Sequence, residues 1–164
     1  MLSDIAALSY LVVGFLGGAV STTLMTLTEI PSWNRWGLLG VFEWHENQVI
    51  TRRLFKLPNE SNNINFKGIF FFHFINGILA GIAFPFIVAF IFTGFIDSFA
   101  SLLLLGTLYG FVLWIITLVP IHKPITGLSP FNHPLGHMPA LASLGGHIVY
   151  GVVLGTIVLA YNFI

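Results

Sequence analysis

Four apolar stretches, Ile5–Thr28, Gly68–Thr93, Phe99–Val119 and Pro139–Phe163, contain no Asp, Glu, Lys or Arg. Each reaches the roughly 20 residues needed to cross a hydrocarbon core of about 30 Å. A backbone in lipid must satisfy its own hydrogen bonds, so these spans are expected to be helices. Only 7% of the 164 residues are charged, against about 25% in a soluble domain. The expectation is an all-α polytopic membrane protein: four transmembrane helices forming one integral membrane domain over residues 1–164, with no soluble domain. The first span has no basic residues ahead of it and is long for a signal peptide, so it is expected to stay as a helix.

The charges are sorted by connection. Arg35, Arg52, Arg53, Lys56 and Lys67 lie in the first connection, Glu29–Lys67, and Lys123 lies in the third, Pro120–Met138. All six histidines fall on that same half of the chain's topology. Asp4 and Asp97 mark the opposite side, with both termini and the short turn Gly94–Ser98. Positive charge marks the cytoplasmic face. Both termini are therefore expected outside the cell membrane, and the triplet Asn59-Glu60-Ser61 faces the cytoplasm, where it is not glycosylated.

A two-helix unit is written twice. The second span carries His73-x-x-Asn76-Gly77-x-x-x-Gly81 and the fourth carries His147-x-x-Tyr150-Gly151-x-x-x-Gly155. The first and third match more loosely through Gly14/Gly18 and Gly106/Gly110, each followed by a proline, Pro31 or Pro120, at the expected helix end. The two units run in the same direction, so this is a parallel repeat with its axis along the membrane normal. Small-x-x-x-small pairs let helix backbones approach closely in lipid. Pro85 is expected to kink the second span.

The first connection holds a helical period that puts Leu39, Phe42, Ile50, Leu54 and Leu57 on one face. It reads as an interfacial amphipathic helix lying on the cytoplasmic end of the bundle, with Trp33, Trp36 and Trp44 in a headgroup belt. Pro58–Asn63 is a polar turn back into the membrane. The third connection is too rich in proline and glycine to form one long helix, and is expected to cap the bundle.

Two groups of residues can carry chemistry. His73 and His147 sit inside their spans at similar depth, and an ionisable residue there is a functional hypothesis by default. Two such imidazoles suit axial ligation of haem b or proton transfer. Equally, each can simply bond a neighbour such as Asn76, Ser143 or Tyr150. The second group lies in the cap: Glu43, His45, Glu46, His122, His133 and His137. Mixed imidazole and carboxylate suits zinc, iron or copper, and His133/His137 have the i,i+4 spacing of a shared metal if that segment is helical. Their structural reading is a set of interfacial side chains, with Glu43 and Glu46 paired to Arg52 or Arg53. Glu46 falls in the middle of an apolar face, a costly place for a carboxylate unless it is paired or protonated.

There is no cysteine, which excludes disulfides and every thiolate-held metal or cluster. No phosphate loop, nucleophile elbow or dinucleotide fingerprint is present, and six scattered cations do not make a nucleic-acid surface.

The run Glu29-Ile30-Pro31-x-Trp33-x-x-Trp36-Gly37, then Glu43-Trp44-His45-Glu46-Asn47-Gln48, and the ending Tyr150-Gly151-x-x-x-Gly155 resemble uncharacterised small four-helix membrane proteins, many of them archaeal. That resemblance implies a fold and a polar motif but no activity. The reading that follows is a non-catalytic accessory or structural subunit of a larger respiratory or metallo-oxygenase complex, its partners being lipid and other membrane subunits or itself. Two alternatives stand beside it: a metal- or haem-binding redox protein using His73/His147 or the cap, and a dimeric transporter or channel.

Overall fold

The computed structural model describes residues 2–57, 63–92 and 98–162. The Gly94–Asp97 part of the turn, Asp97 itself and the Asn59-Glu60-Ser61 triplet lie outside them, as does most of Pro58–Asn63. Every regular element described is helical: α1 (Leu2–Trp36), α2 (Phe42–Leu54), α3 (Phe66–Ile91), α4 (Phe99–Ile116), α5 (Lys123–Thr126) and α6 (Met138–Asn162). A short 3-10 turn, Gly37–Gly40, joins α1 to α2, and a π-helical turn, Thr117–His122, joins α4 to α5. Four of these segments, Ala7–Gly40, Phe66–Ile91, Phe99–Thr126 and Met138–Tyr161, are long and apolar enough to cross a membrane.

Two spans overrun the prolines expected to end them. α1 continues through Pro31 to Trp36. The lost amide bond is outweighed locally: Glu29 and Ser32 are buried, and Trp33 packs on Trp44 and Phe66 with ring centroids 5.5 and 5.4 Å away. The helix after α4 absorbs Pro120 by widening into the π turn, a device that recurs at functional sites. Pro85 lies buried inside α3, which runs unbroken past it.

Glycine decides which helices touch. A Cβ on Gly14 or Gly81 would collide with the backbone of the facing helix, so α1 and α3 meet at Gly14/Gly18 and Gly77/Gly81. α4 and α6 meet the same way at Gly106/Gly110 and Gly151/Gly155. α1 also packs along α6. The bundle therefore runs α3–α1–α6–α4. Among the described residues its two outer members, α3 and α4, make no extended backbone contact with each other. They are tied near mid-length by Tyr109, whose hydroxyl donates to Ala80 O at 2.7 Å and whose ring lies 5.0 Å from that of Phe84. The apolar core, including Phe84, Leu102 and Leu154, fills the bundle below that level. Phe90, Leu79 and Leu104, from 60 to 80% exposed, belong to the surface that lipid would cover.

Candidate functional site

The helical period of the first connection puts Glu43, Glu46, Ile50 and Leu54 on one face of α2, and the glutamates of that face turn inward. Glu43, Glu46, Asn47, Gln48 and Thr51 are buried, whereas Leu54 and Phe55 are 62% and 63% exposed. The cause is what lies beneath. The upper ends of the spans present histidines and capping groups, which polar side chains can satisfy and leucine cannot. Gln48 Oε1 accepts from Asn65 N at 3.0 Å, and Asn65 Oδ1 in turn caps α3 by accepting from Gly68 N at 2.9 Å. Thr51 sits against Gly68, where any Cβ would displace it. At the far end Arg53 donates to Ile125 O at 2.8 Å. α2 is thus fastened to α3 on one side and α5 on the other, as a roof over the space between α3 and α4.

Under that roof three carboxylates meet three imidazoles. Glu29, at the end of α1, accepts from Trp44 Nε1 at 2.7 Å and lies 3.8 Å from His73 Nε2. That same His73 nitrogen is 3.1 Å from Thr26 Oγ1. Glu43 Oε1 accepts from the Ser143 hydroxyl and lies 3.5 Å from His147 Nδ1. His147 Nδ1 is 2.9 Å from Ser143 O; a carbonyl only accepts, so the ring proton is on Nδ1. Nε2 faces Thr117 Oγ1 at 3.4 Å. Glu46 Oε1 meets His122 Nδ1 at 2.7 Å, with His122 fully buried. Removing one partner of such a pair leaves an uncompensated buried polar group, so each carboxylate holds its histidine in place.

The two glutamates of α2 stand in opposite states. Burial pushes the Glu43 carboxyl up, but His147 and the Ser143 hydroxyl outweigh it and hold the group below the usual carboxylate range. Glu46 lacks that help: burial, then the neighbouring charge of Glu43, pushes it up to about 9. At neutral pH Glu43 is ionised and Glu46 carries a proton, with Glu46 Oε1 and His122 Nδ1 sharing one hydrogen bond. Among the described residues, Glu43 Oε2 is buried with no hydrogen-bond partner.

Glu43, Glu46, His73 and His147 line one cavity of about 280 Å³. Its back wall is α1 and α6, through Thr22, Met25 and Tyr150. Tyr150 donates its hydroxyl to Gly77 O at 2.6 Å. Its sides are Asn76 and Ala80 on α3, and Leu113 and Thr117 on the opposite side. The chamber is polar under the roof and apolar toward its floor.

The remaining cap residues form a separate group beyond Glu46. His45 and His122 have ring centroids 6.1 Å apart, and Phe42 lies 4.1 Å from the His122 ring and 5.2 Å from that of His133. Burial first, then the charges of His122, His133 and Arg52, brings His45 down to about 4. Burial, then His122, lowers His133 as well, so both are neutral at pH 7. The His133–His137 segment is a turn rather than a helix. His133 is buried and His137 exposed, so the i,i+4 geometry of a shared metal is not formed. Among the described residues no three His, Asp or Glu side chains converge with the geometry to hold an ion. His73 and His147 both line the cavity, each with Nε2 beside a threonine hydroxyl, Thr26 or Thr117. Among the described residues, Glu43 is partnered by Ser143 and His147 and Glu46 by His122.

Sequence reasoning located His73, His147, Glu43 and Glu46 and placed Glu29 on their side of the membrane. It missed that Glu29 is the partner of His73. The available signal was position: Glu29 is the first charge after a span, one helical turn beyond Thr26. No family model matches the chain, and neither a curated protein nor a solved structure is significantly similar to it.

Proposed function

We propose that this cavity is an acid–base site that moves protons on an uncharged, lipid-soluble substrate. The observation that carries the reading is the pair Glu43/Glu46. Two carboxyls one turn apart hang from α2 into one chamber, and their surroundings drive their proton affinities apart. Such splitting assigns an acid and a base. Glu46 is the acid, re-protonated from the His122 side. Glu43 is the base through Oε2, with Ser143 and His147 fixing its other oxygen. The chemistry this supports is gain of a proton at one substrate carbon and loss of one from a carbon two bonds away, as in a double-bond shift. No electrons change hands.

The finer topology belongs to the same reading. All six cations lie in the two connections on the α2 side, which supports a cytoplasmic roof and both termini outside. The matched glycine contacts of α1 with α3 and α4 with α6 support a parallel repeat whose interface became the chamber.

The test draws its substrate from a mixed lipid pool. Purified protein in vesicles made from its host's neutral and polar lipids is incubated in D₂O, and the lipids are analysed by mass spectrometry. Wild-type protein is expected to place solvent deuterium on carbon in one neutral lipid. Glu43→Gln and Glu46→Gln should each slow this by about 10²–10⁴-fold, the usual contribution of a positioned acid or base. No incorporation by folded wild-type protein sinks the proposal and leaves the accessory-subunit role as the reading to pursue.

A further inference from the structure

The chamber has walls, a roof and a floor but no front. Its back is closed by α1 and α6, whose backbones pack together. α2 covers it, held at its middle by Gln48–Asn65 and at its far end by Arg53–Ile125. Tyr109 bonded to Ala80, with Phe84 beside it, closes it below. Between α3 and α4, above that tie, no extended backbone contact among the described residues closes the side that faces the hydrocarbon. Asn76 stands there, on the wall of the cavity yet exposed. An exposed amide at that depth of a span has no reason to face acyl chains, because an unsatisfied polar group in hydrocarbon costs several kcal/mol. It has a reason to face a ligand's polar end.

We infer that the gap between α3 and α4 is a lateral door, through which an amphiphile with an uncharged hydroxyl head and a long apolar chain enters from the membrane. The head seats beneath α2 and the chain trails between Ala80 and Leu113 into lipid. Three observations select this class. Among the described residues no lysine or arginine lines the cavity, whereas a phosphate or carboxylate head needs such partners and would meet Glu43 instead. A cationic head would have to travel through hydrocarbon to reach the door, which is expensive. The volume, about 280 Å³, is at the bottom of the range of roughly 300–1,000 Å³ for whole small-molecule ligands, so it suits a head and the first few carbons rather than an entire lipid. The inference deepens the acid–base reading by naming its substrate class and route, and is tested by binding alone.

The probe is a long-chain primary alcohol bearing a diazirine near the hydroxyl and an alkyne at its tail, photolysed with wild-type protein in phospholipid vesicles. Its methyl-ended hydrocarbon twin serves as reference. The alcohol is expected to label the peptides holding Ala80, Leu113 and Ile121 at least tenfold more than the twin does, and excess unlabelled alkanol should compete. Leu113→Trp, which fills the doorway, and Asn76→Leu, which removes its polar post, should each abolish the enrichment. The two substitutions lie on different helices, and either one with a wild-type melting curve suffices to judge. The same label pattern for both probes, or enrichment untouched in such a variant, overturns the door. So does labelling by a short water-soluble alcohol with the same photogroup, which would mean that the chamber opens to water. Enriched labelling without deuterium incorporation would keep the door and discard the catalysis.

Discussion

At the scale of single residues, what distinguishes Glu46 from Glu43 is company rather than depth. Both are buried, but only Glu43 has the Ser143 hydroxyl and His147 beside it to outweigh the loss of water. The consequence for stability has a definite sign. Glu46 binds its proton up to about pH 9 in the folded protein and only to about 4.5 when free. Between those values the folded state holds a proton that the unfolded chain has lost, so its contribution to stability is full below about 4.5 and drains away as pH rises toward 9. Thermal melts of detergent-solubilised protein are expected to show this decline in the wild type and a shallower one in Glu46→Gln. Equal slopes in the two would place the proton elsewhere.

Among the elements, the four spans were legible because an uncharged run of more than 20 residues has few other fates. The glycine stripes were legible as contacts because backbone approach in lipid depends on them. Two things were not. Pro31 and Pro120 looked like helix ends, since local rules see only the missing amide; packing around Glu29 and Trp33, and a π turn ahead of α5, override them. The inward side of α2 was the other. Periodicity puts Glu43, Glu46 and Leu54 on one face but does not show what lies beneath each turn: histidines meet the two glutamates, while Leu54 at the end of the helix is exposed. The glycine reading makes a quantitative prediction. Gly151→Leu, whose side chain would run into the Gly106 backbone, should destabilise the protein by at least the usual overpacking cost of about 1–3 kcal/mol. Gly145→Ala meets nothing within 4 Å and, inside a helix, should if anything stabilise, by up to about 1 kcal/mol. A matched pair of melts would show that glycine acts through α4–α6 contact and not through helix propensity.

Over the whole molecule, one arrangement of helices explains both the fold and the site. Two glycine-packed pairs joined through α1 and α6 leave α3 and α4 apart. The helix outside the spans that carries acids in a polar stripe, α2, lies across that opening. The histidines that looked isolated in sequence belong to three different elements, α3, the π turn and α6, and acquire partners only when α2 and the end of α1 are laid over them. Pairings at such sequence distances leave no local trace, so the sequence showed the participants without their partners. Everything the cavity can do rests on Glu43 and Glu46 holding opposite protonation states. Infrared difference spectroscopy reads this directly, through the C=O stretch that only a protonated carboxyl shows. A buried protonated-carboxyl component that titrates away near pH 9 is expected in the wild type, persisting in Glu43→Gln and lost in Glu46→Gln. No such band at pH 7, or one that vanishes with Glu43 instead, would contradict the assignment of acid and base.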